Sequence, residues 1–418
     1  MHLQALLDLT IALIERIQPL KQPADQIVSD FFHEHRALGS RERHILAETV
    51  YHLLRMRPMI THLAETGSGP KPRRLALLAW QGSTDALRTA VTPSERTWLD
   101  QTDKVDRAGL PEPLRHNLPL WLAEPLQARL GDEFWTLVNA MNQSAPLDLR
   151  VNVMKSSTGQ VRAALKEAGI LARTTRWAPT ALRVDGKPAL TRLEVFQRGD
   201  VEVQDEGSQL LALLVDAKRG EMVVDFCAGA GGKTLALGAA MRNTGRLYAL
   251  DISGHRLAAL KPRLARSGLS NVYPIQIAHE RDDRIKRLAG KIDRVLVDAP
   301  CSGLGTLRRN PDLKWRQSLR AVQEMQVKQI DILASAARLL KSGGRLVYAT
   351  CSLLEAENEA VVAAFEASHA DFERLPVAPL LAKLGVAEAD QLAEDGFLRL
   401  WPHRHETDGF FASVWQRV

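Results

Sequence analysis

The stretch EMVVDFCAGAGGKT at residues 221–234 decides the fold, because it joins a short apolar run to a Gly-rich turn that opens an apolar helix. Four more apolar runs of similar length follow, separated by helical stretches or turns: RLYALDI (246–252), NVYPIQI (271–277), IDRVLVDAP (292–300) and GRLVYATC (344–351). Strands that are apolar on both faces and alternate with helices are typical of a doubly wound parallel sheet. The sequence therefore predicts an α/β, Rossmann-like sheet. The final runs FLRLWP and FFASVWQRV predict an antiparallel hairpin that closes it.

Two further regions precede this sheet. Apolar residues recur at helical spacing in LQALLDLTIALIERI (3–17), and no strand-like alternation occurs before residue 149. From there LRVNVM, ALRVDG and DVEVQD alternate as strands around the amphipathic helix GQVRAALKEAGI. We therefore predict three domains: an all-helical domain at 1–145, a small α+β domain at 146–205 and the Rossmann-like domain at 206–418.

The composition is that of an ordinary globular protein. The chain has 418 residues, of which 45% are hydrophobic and 25% charged, and this excludes the disordered and collagen-like classes. No apolar run reaches the ~18 residues that a membrane helix needs. Asp8, Glu15 and Arg16 interrupt the apolar start that a signal peptide would require. We therefore expect a cytoplasmic protein without membrane contact, and we expect it to be a monomer.

The positive charge is concentrated in one segment. Residues 146–200 carry 10 Lys and Arg against 5 Asp and Glu, a net charge of +5, whereas residues 1–145 carry −1 and residues 201–418 carry +2. A basic excess confined to a short segment indicates contact with a polyanion such as RNA. The candidate phosphate contacts in this segment are Arg150, Lys155, Arg173, Arg176 and Arg183.

The small residues after the first strand of the sheet indicate a cofactor site. Ligands of doubly wound sheets bind at the carboxyl ends of the strands, where small side chains let backbone N–H groups approach them. The next strand ends in Asp251, which would bind ribose hydroxyls or, alternatively, cap the following helix. Lys233 and Thr234 keep a phosphate site open, although Cys227 stands where a P-loop needs its first glycine. The pattern indicates an adenosine-containing cofactor.

The three cysteines cannot build a disulfide framework, and without CxxC spacing they predict no metal site. Cys227 lies in the Gly-rich turn and is best interpreted as a core side chain. Cys301 and Cys351 follow two apolar strands directly, at the edge where such sheets bind ligands. If those strands are neighbours, their tips lie roughly 5–10 Å apart, given the ~4.8 Å spacing of strands. This placement predicts a nucleophilic thiol with an auxiliary thiol.

Several segments together resemble one enzyme family. They are VEVQDEGSQLLALLV (201–215), VVDFCAGAGGKTLAL (223–237), VLVDAPCSGLGTLRRNPDLKW (295–315), LVYATCSLLEAENEAVV (346–362) and FLRLWPHRHETDGFF (397–411). They resemble the RNA 5-methylcytosine methyltransferases of the RsmB/Sun type (NOP2/Sun family), over residues 146–418. ALGSRERHILAETVYHLLR (37–55) also looks like the NusB-like helical domain that precedes the catalytic part in such proteins. The resemblance implies a class I methyltransferase sheet with a small α+β RNA-binding subdomain and an N-terminal NusB-like domain.

The resemblance also implies a reaction and a set of residues. The cofactor would be S-adenosylmethionine, and the acceptor would be C5 of a cytosine in RNA, with small-subunit ribosomal RNA as the expected target. Cys351 would add to C6 of the base, Cys301 would assist product release, and Asp298 would hold the base near N3. The residues implied for cofactor binding are Cys227, Ala228, Gly229, Ala230, Gly231, Gly232, Lys233, Asp251, His279 and Asp298. The residues implied for RNA contact, besides Arg150, are Arg308, Arg309, Lys314 and Trp315.

The chain departs from the family pattern at two places. Gly229-Ala230-Gly231-Gly232 stands where Ala-Pro-Gly-Gly is common, and His279 stands where an Asp usually reads the adenine amino group. Glu280 and Asp282 are the other candidates for that contact. The departures motivate an alternative function, an RNA-binding or ribosome-assembly factor with a vestigial methyltransferase fold. Transfer RNA is an alternative substrate, and a DNA cytosine methyltransferase is disfavoured because that class has one nucleophile in a Pro-Cys motif.

Overall fold

The computed structural model describes residues 2–418, which form two compact units. The first unit takes the chain up to Ser144 and also includes Leu307–Leu319. The second unit consists of Ala145–Thr306 and Arg320–Val418. Leu307–Leu319 therefore belongs to the first unit, although the residues before and after it in sequence belong to the second unit.

The first unit is helical. Its helices are Leu3–Ile17, Ala24–Glu34, Ser40–Arg55, Arg57–Ala64, Lys71–Ala79, Thr84–Ala90, Pro93–Thr102, Glu112–His116, Leu120–Leu130, Phe134–Met141 and the short Leu313–Arg316. The first helix shows why the sequence folds this way, since Leu6, Leu13 and Ile17 recur at helical spacing and are buried. They pack with Leu46 and Val50 of another helix in one apolar core.

The inserted segment Leu307–Leu319 is bonded to the helices of this unit. The backbone N–H of Ala24 donates to the carboxylate of Asp312 (3.2 Å), and the indole N–H of Trp315 donates to the carbonyl of Leu54 (2.6 Å). The ammonium of Lys314 donates to the carbonyl of Arg55 (2.8 Å) and to the side chain of Asn142 (3.3 Å). These partners satisfy the polar groups of a segment that is largely removed from water.

This insertion corrects the expected RNA contacts of residues 307–316. Lys314 is only 3% exposed and Arg308 only 7%. Trp315 and Arg309 are half-buried, and Trp315 packs against the apolar core of the helices. A cluster of cations beside a Trp looks the same in sequence whether it faces a phosphate or the carbonyl oxygens of a helix end. Arg308, Lys314 and Trp315 are therefore not candidate RNA contacts, whereas the contact of the half-buried Arg309 stays a prediction.

The second unit contains two sheets. The small sheet is formed by β1 (Leu147–Val151), β2 (Ala172–Thr174), β3 (Ala181–Val184) and β4 (Val201–Val203), in the antiparallel order β2-β3-β1-β4. Its helices are Thr158–Glu167 and Glu194–Gln197. This is the predicted α+β region, with β2 as a strand that the sequence pattern did not indicate.

The large sheet has nine strands. They are β5 (Met222–Asp225), β6 (Arg246–Asp251), β7 (Val272–Gln276), β8 (Ile292–Asp298), β9 (Leu340–Thr350), β10 (Phe372–Leu375), β11 (Ala393–Glu394), β12 (Phe397–Leu400) and β13 (Phe410–Arg417). The order is β11-β12-β13-β9-β8-β5-β6-β7, and β10 pairs with β13. The surrounding helices are Glu206–Val215, Gly232–Ala240, Gly254–Ser267, Asp283–Lys286, Leu319–Ala337, Glu359–Glu366, Val377–Lys383 and Pro402–His405.

The pairing confirms the predicted Rossmann-like sheet. Strands β5 to β9 are parallel, and β13 is antiparallel to both β9 and β12, as the predicted hairpin requires. From β5 the chain builds outward through β6 and β7 on one side and then through β8 and β9 on the other. The strand order reverses between β5 and β8, and ligands of such sheets bind at the carboxyl ends beside this reversal.

The basic segment 146–200 is less available to RNA than its net charge suggests. Arg150 is 6% exposed, burial lowers its pKa to about 10, and it donates to the carbonyl of Gly232 (2.6 Å). Arg183 pairs with Asp148 (2.8 Å) and Arg176 with Glu388. Lys155 donates to two backbone carbonyls. Arg150 is therefore not placed to contact a phosphate, since its guanidinium is buried and bonds to the carbonyl of Gly232.

Among residues 2–418, no helix combines the length and the apolar character needed to cross a membrane. Within the same residues, no group of three or more His, Cys, Asp and Glu side chains is placed to hold a metal ion.

Replacing Lys314 by Met should change how stability depends on pH. Burial lowers the pKa of Lys314 from 10.5 to about 7 in the folded chain. Between these values the unfolded chain binds more protons, so the stability of the native protein rises with pH. The Lys314→Met variant lacks this titration, and its free energy of unfolding should fall behind that of the wild type by up to ~1.4 kcal/mol per pH unit above pH 7. Urea unfolding at several pH values measures the difference.

The control is Lys71→Met, which removes an exposed ammonium from the same unit. Curves of stability against pH that run parallel for the wild type and Lys314→Met would contradict the prediction.

Candidate active site

A cavity of about 950 Å³ opens at the carboxyl ends of the parallel strands, beside the reversal of strand order. It is lined by most of the residues that the sequence indicated: Cys227, Ala228, Gly229, Ala230, Gly232, Lys233, Asp251, His279, Asp298, Cys301 and Cys351. Gly231 does not line the cavity and packs towards Leu260 instead. Residues far apart in sequence therefore share one cavity, because their strands end at the same edge of the sheet.

The Gly-rich turn is held by the strand next to it. The backbone N–H of Gly229 donates to Oδ2 of Asp251 (2.8 Å). Oδ1 of Asp251 accepts from the N–H of Ser253 (2.7 Å), so two backbone groups orient this carboxylate at the edge of the cavity. The following helix is capped by Ser253, whose hydroxyl accepts from the N–H of Arg256 (3.3 Å). Asp251 is thus not the helix cap, which was its alternative interpretation.

The three candidates for adenine contact, which follow β7, differ in whether their side chains line the cavity. Asp282 accepts from the N–H groups of Ala278 (2.7 Å) and Arg284 (2.8 Å), and these bonds lower its pKa. Its carboxylate closes a turn and does not line the cavity. His279 and Glu280 do line it, and His279 Nδ1 accepts from a backbone N–H (3.1 Å). His279 and Glu280 therefore remain as candidates.

The two thiols are in contact. Strands β8 and β9 are parallel neighbours in which Asp298 pairs with Ala349, so Cys301 and Cys351 follow the ends of both strands at nearly the same level. Their sulfur atoms lie 3.4 Å apart, and both residues are half-buried. This confirms that the predicted strands are neighbours, and it places both thiols in the lining of one cavity.

The surroundings of Cys301 keep its thiol protonated. The hydrogen bond to Cys351, burial and the nearby charges of Cys351 and Glu357 raise the pKa of Cys301 well above its usual value. Cys301 therefore keeps its proton at neutral pH and can donate it to the sulfur of Cys351. Burial lowers the pKa of Lys233, but the attraction of Asp298 (2.7 Å) and of Cys351 outweighs it and raises that pKa. The Lys233 ammonium lines the same cavity as both thiols.

The ion pair with Asp298 gives the Lys233 ammonium a partner, so the presence of this lysine after the Gly-rich turn does not require a phosphate site. Its ammonium lies deep in the cavity with a carboxylate partner, whereas the lysine of a P-loop needs its charge for a nucleotide. The structure favours the carboxylate as the partner of Lys233.

A buried carboxylate lies behind the thiols, and the sequence pattern did not indicate it. Glu357 accepts hydrogen bonds from Ser302, Ser352 and Gln329, and we call these four residues the Glu357 cluster. A second missed residue is Asp225 at the end of β5, whose pKa burial raises to about 7 while Thr234 donates to it. The sequence gives little indication that Glu357 is buried, because LEAENEA (354–360) is typical of the start of a solvent-facing helix.

Comparison with known proteins agrees with this geometry. A model of the family described as 16S rRNA methyltransferase RsmB/F matches residues 212–416, and a model of an RsmF/B-like ferredoxin-like domain matches residues 118–191. A protein of Synechocystis sp. named probable ribosomal RNA small subunit methyltransferase B is 36% identical over 299 residues, 71% of this chain. The chain belongs to the RsmB/F methyltransferase family. This confirms the resemblance that the motifs indicated.

A second curated relative and two solved structures are also similar to this chain. A Bacillus subtilis protein with the same name is 34% identical over 300 residues, 70% of this chain. The aligned parts span 66% of the Synechocystis protein and 65% of the B. subtilis protein, slightly less than two thirds of each. The crystal structure of PH0851 matches with a TM-score of 0.81 at 28% identity over 99% of both chains. A methyltransferase homolog from Pyrococcus horikoshii matches with a TM-score of 0.62 at 29% identity, over 73% of this chain and 97% of its own.

The Gly-rich turn of this RsmB/F chain should tolerate Ala at one glycine and not at the other. A Cβ at Gly231 would lie 2.1 Å from Leu260 on a backbone with φ +84°, whereas a Cβ at Gly229 meets nothing within 4 Å at φ +55°. We expect Gly231→Ala to cost about 2–4 kcal/mol, from backbone strain and overpacking. Gly229→Ala should cost only about 1–2 kcal/mol, from the positive φ alone. Urea unfolding compares the pair, and equal losses would show that Leu260 moves aside.

Proposed function

We propose that the chain transfers a methyl group from S-adenosylmethionine to C5 of a cytosine in RNA, through a covalent bond between Cys351 and C6. The observation that carries the proposal is the contact between Cys301 and Cys351, 3.4 Å apart at the ends of adjacent strands. Both thiols line the same cavity as the Gly-rich turn. A cofactor and a base bound in this cavity would therefore lie close together.

The cavity fits the cofactor on its own geometry. Its volume of about 950 Å³ is in the range of cofactor sites, and the Asp251 carboxylate is held by two backbone N–H groups at the place where a ribose would bind. Ile252 and Ala278 offer apolar surface beside His279 for a purine ring. S-adenosylmethionine supplies the electrophilic methyl group of the reaction.

The thiols would perform the covalent steps. Cytosine C5 is a weak nucleophile, so the lone pair of the Cys351 thiolate forms a bond to C6 and makes C5 electron-rich as part of an enamine. After methylation the C5 proton passes to a base, its electron pair re-forms the C5–C6 double bond, and the bond from C6 to Cys351 breaks. Cys301 donates its hydrogen bond to the departing sulfur, which assists release of the product.

Asp298 and Lys233 would contact the cytosine ring near N3, away from the carbon that bonds to Cys351. The carboxylate of Asp298 lines the cavity and is fixed by the Lys233 ammonium at 2.7 Å. In the family resemblance Asp298 holds the cytosine near N3. A proton passed from the Lys233 ammonium to this carboxylate would let Asp298 donate a hydrogen bond at N3, and that bond would stabilise the negative charge that the ring gains when sulfur adds.

The expected substrate is small-subunit ribosomal RNA, which rests on the names of the curated relatives. Transfer RNA is the alternative within the same chemistry. The intact pair of thiols favours an enzyme over a ribosome-assembly factor with a vestigial fold. Calorimetry with S-adenosylmethionine tests that alternative directly, since a vestigial site would bind none.

The two cysteine variants should fail in different ways. Cys351→Ala removes the atom that bonds to C6, so methyl transfer should become undetectable. Cys301→Ala leaves the nucleophile but slows product release, so a covalent complex of protein and RNA should accumulate. Denaturing gels that resolve the adduct, together with bisulfite sequencing of the RNA, measure both results.

Cys227→Ala is the matched thiol variant, because this thiol lines the cavity at the Gly-rich turn. It should still form the covalent bond to C6, because Cys351 remains, and any loss of methyl transfer should appear as a higher KM for S-adenosylmethionine. Full activity of Cys351→Ala would contradict the proposed mechanism.

A further inference from the structure

The Glu357 cluster lies directly behind the two thiols. The Glu357 side chain is fully buried, at 0% exposure, six residues after Cys351 in the sequence. A carboxylate in such a place is costly unless several donors surround it. Its hydrogen-bond donors therefore show which parts of the chain the carboxylate binds together.

Four hydrogen bonds satisfy this carboxylate, and three of them come from the residues that follow the cysteines. Oε1 accepts from the backbone N–H of Ser302 (2.7 Å) and from the amide of Gln329 (3.1 Å). Oε2 accepts from the hydroxyls of Ser302 and Ser352. One buried anion thus binds both cysteine loops, and charge-assisted hydrogen bonds are the strong ones.

Neighbouring bonds extend the same arrangement. The amide of Gln329 also donates to the carbonyl of Pro300 (2.9 Å), just before Cys301. The side chain of Asn358 donates to the carbonyl of Ser352 (3.1 Å), and the hydroxyl of Tyr348 donates to the carbonyl of Glu357 (2.7 Å). Each loop is therefore held by side chains that do not line the cavity.

The distance between the thiols shows why such fixing matters. Neighbouring strands are ~4.8 Å apart, whereas the two sulfur atoms lie 3.4 Å apart, so the two cysteine side chains approach each other more closely than the strands do. A backbone bond from Gly305 to the carbonyl of Cys351 (2.8 Å) also joins the loops. Unlike this backbone bond, the Glu357 carboxylate bonds to the residue that immediately follows each thiol, Ser302 after Cys301 and Ser352 after Cys351.

We propose that Glu357 is a positioning residue that holds the Cys301 and Cys351 loops together so that both thiols reach one pyrimidine. The role in the reaction rests on the proposed function, whereas the effect on the distance between the thiols does not. Glu357 is buried behind the loops and acts through Ser302 and Ser352.

A reagent that bridges two adjacent thiols tests the positioning role of Glu357 without any measurement of methyl transfer. Phenylarsine oxide condenses with two adjacent thiols, forming two As–S bonds and releasing one water. In a Cys227→Ala background, where only the two site thiols remain, one arsenical should bridge them and protect both from maleimide. Intact mass spectrometry measures the bridged fraction. Glu357→Ala should lose most of the bridging, because each loop is freed at the residue beside its sulfur.

The same variants separate positioning from general stability. In Glu357→Ala, kcat for methyl transfer should fall by about 100-fold, since a misplacement of ~1 Å costs on that order, while KM for RNA and for S-adenosylmethionine stays within about twofold. Glu357→Gln should recover much of the bridging and activity, because its amide oxygen still accepts from Ser302 N–H and the two hydroxyls can turn to accept from its NH₂. Glu355→Ala, at an exposed position two residues earlier, is the control and should match the wild type.

The outcomes are distinguishable. Wild-type bridging and kcat in folded Glu357→Ala would overturn the proposal. If Glu357→Ala does not fold, the Ser302→Ala, Ser352→Ala double variant decides, since it removes one donor from each loop, and wild-type bridging in that variant would also overturn it. Loss of bridging in a protein that methylates no RNA even as wild type would refute the proposed function and leave the positioning role supported.

Discussion

The parallel pairing of β8 with β9 is the constraint on which the site depends. Its register sets Asp298 opposite Ala349, so the chain leaves both strands at one level and delivers Cys301 and Cys351 to the same point. The other elements of the site are arranged around that point. Strand β5 lies on the other side of β8 and contributes the Gly-rich turn, and Lys233 from that turn reaches Asp298. Cofactor site and thiols are thus neighbours because three adjacent strands run in the same direction.

The sequence predicted this edge well, and the reason is local. Apolar runs such as 292–300 and 344–351 must be buried on both faces, and a polar or reactive residue directly after such a run has to lie at the sheet edge. The closing hairpin and the small α+β region were predicted from the same kind of alternation. The short strands β2, β10 and β11 were missed, because they have two to four residues and are stabilised by pairing more than by their own pattern.

The sequence predicted least well where charged groups are buried. Arg150 and Lys314 were expected to face RNA, and both are enclosed by carbonyl and amide oxygens. Glu357 was not singled out, although four donors surround it. Residue type and spacing show that a charge exists but not which oxygens or N–H groups the distant chain brings to it. Some basic side chains of 146–200 are likewise used in pairs with acidic residues outside that segment, such as Arg183 with Glu406.

The placement of Leu307–Leu319 has a consequence for synthesis of the chain. The carbonyl groups of Leu54 and Arg55 receive their partners, Trp315 and Lys314, only after more than half of the remaining chain has been made. At ~5–20 residues per second, translation from Ser144 to Leu319 takes on the order of 10–30 s. The helical unit must therefore leave the ribosome incomplete and wait for a segment encoded inside the second unit. Neither unit corresponds to one continuous piece of the gene, so a single cut in the chain cannot yield both of them whole.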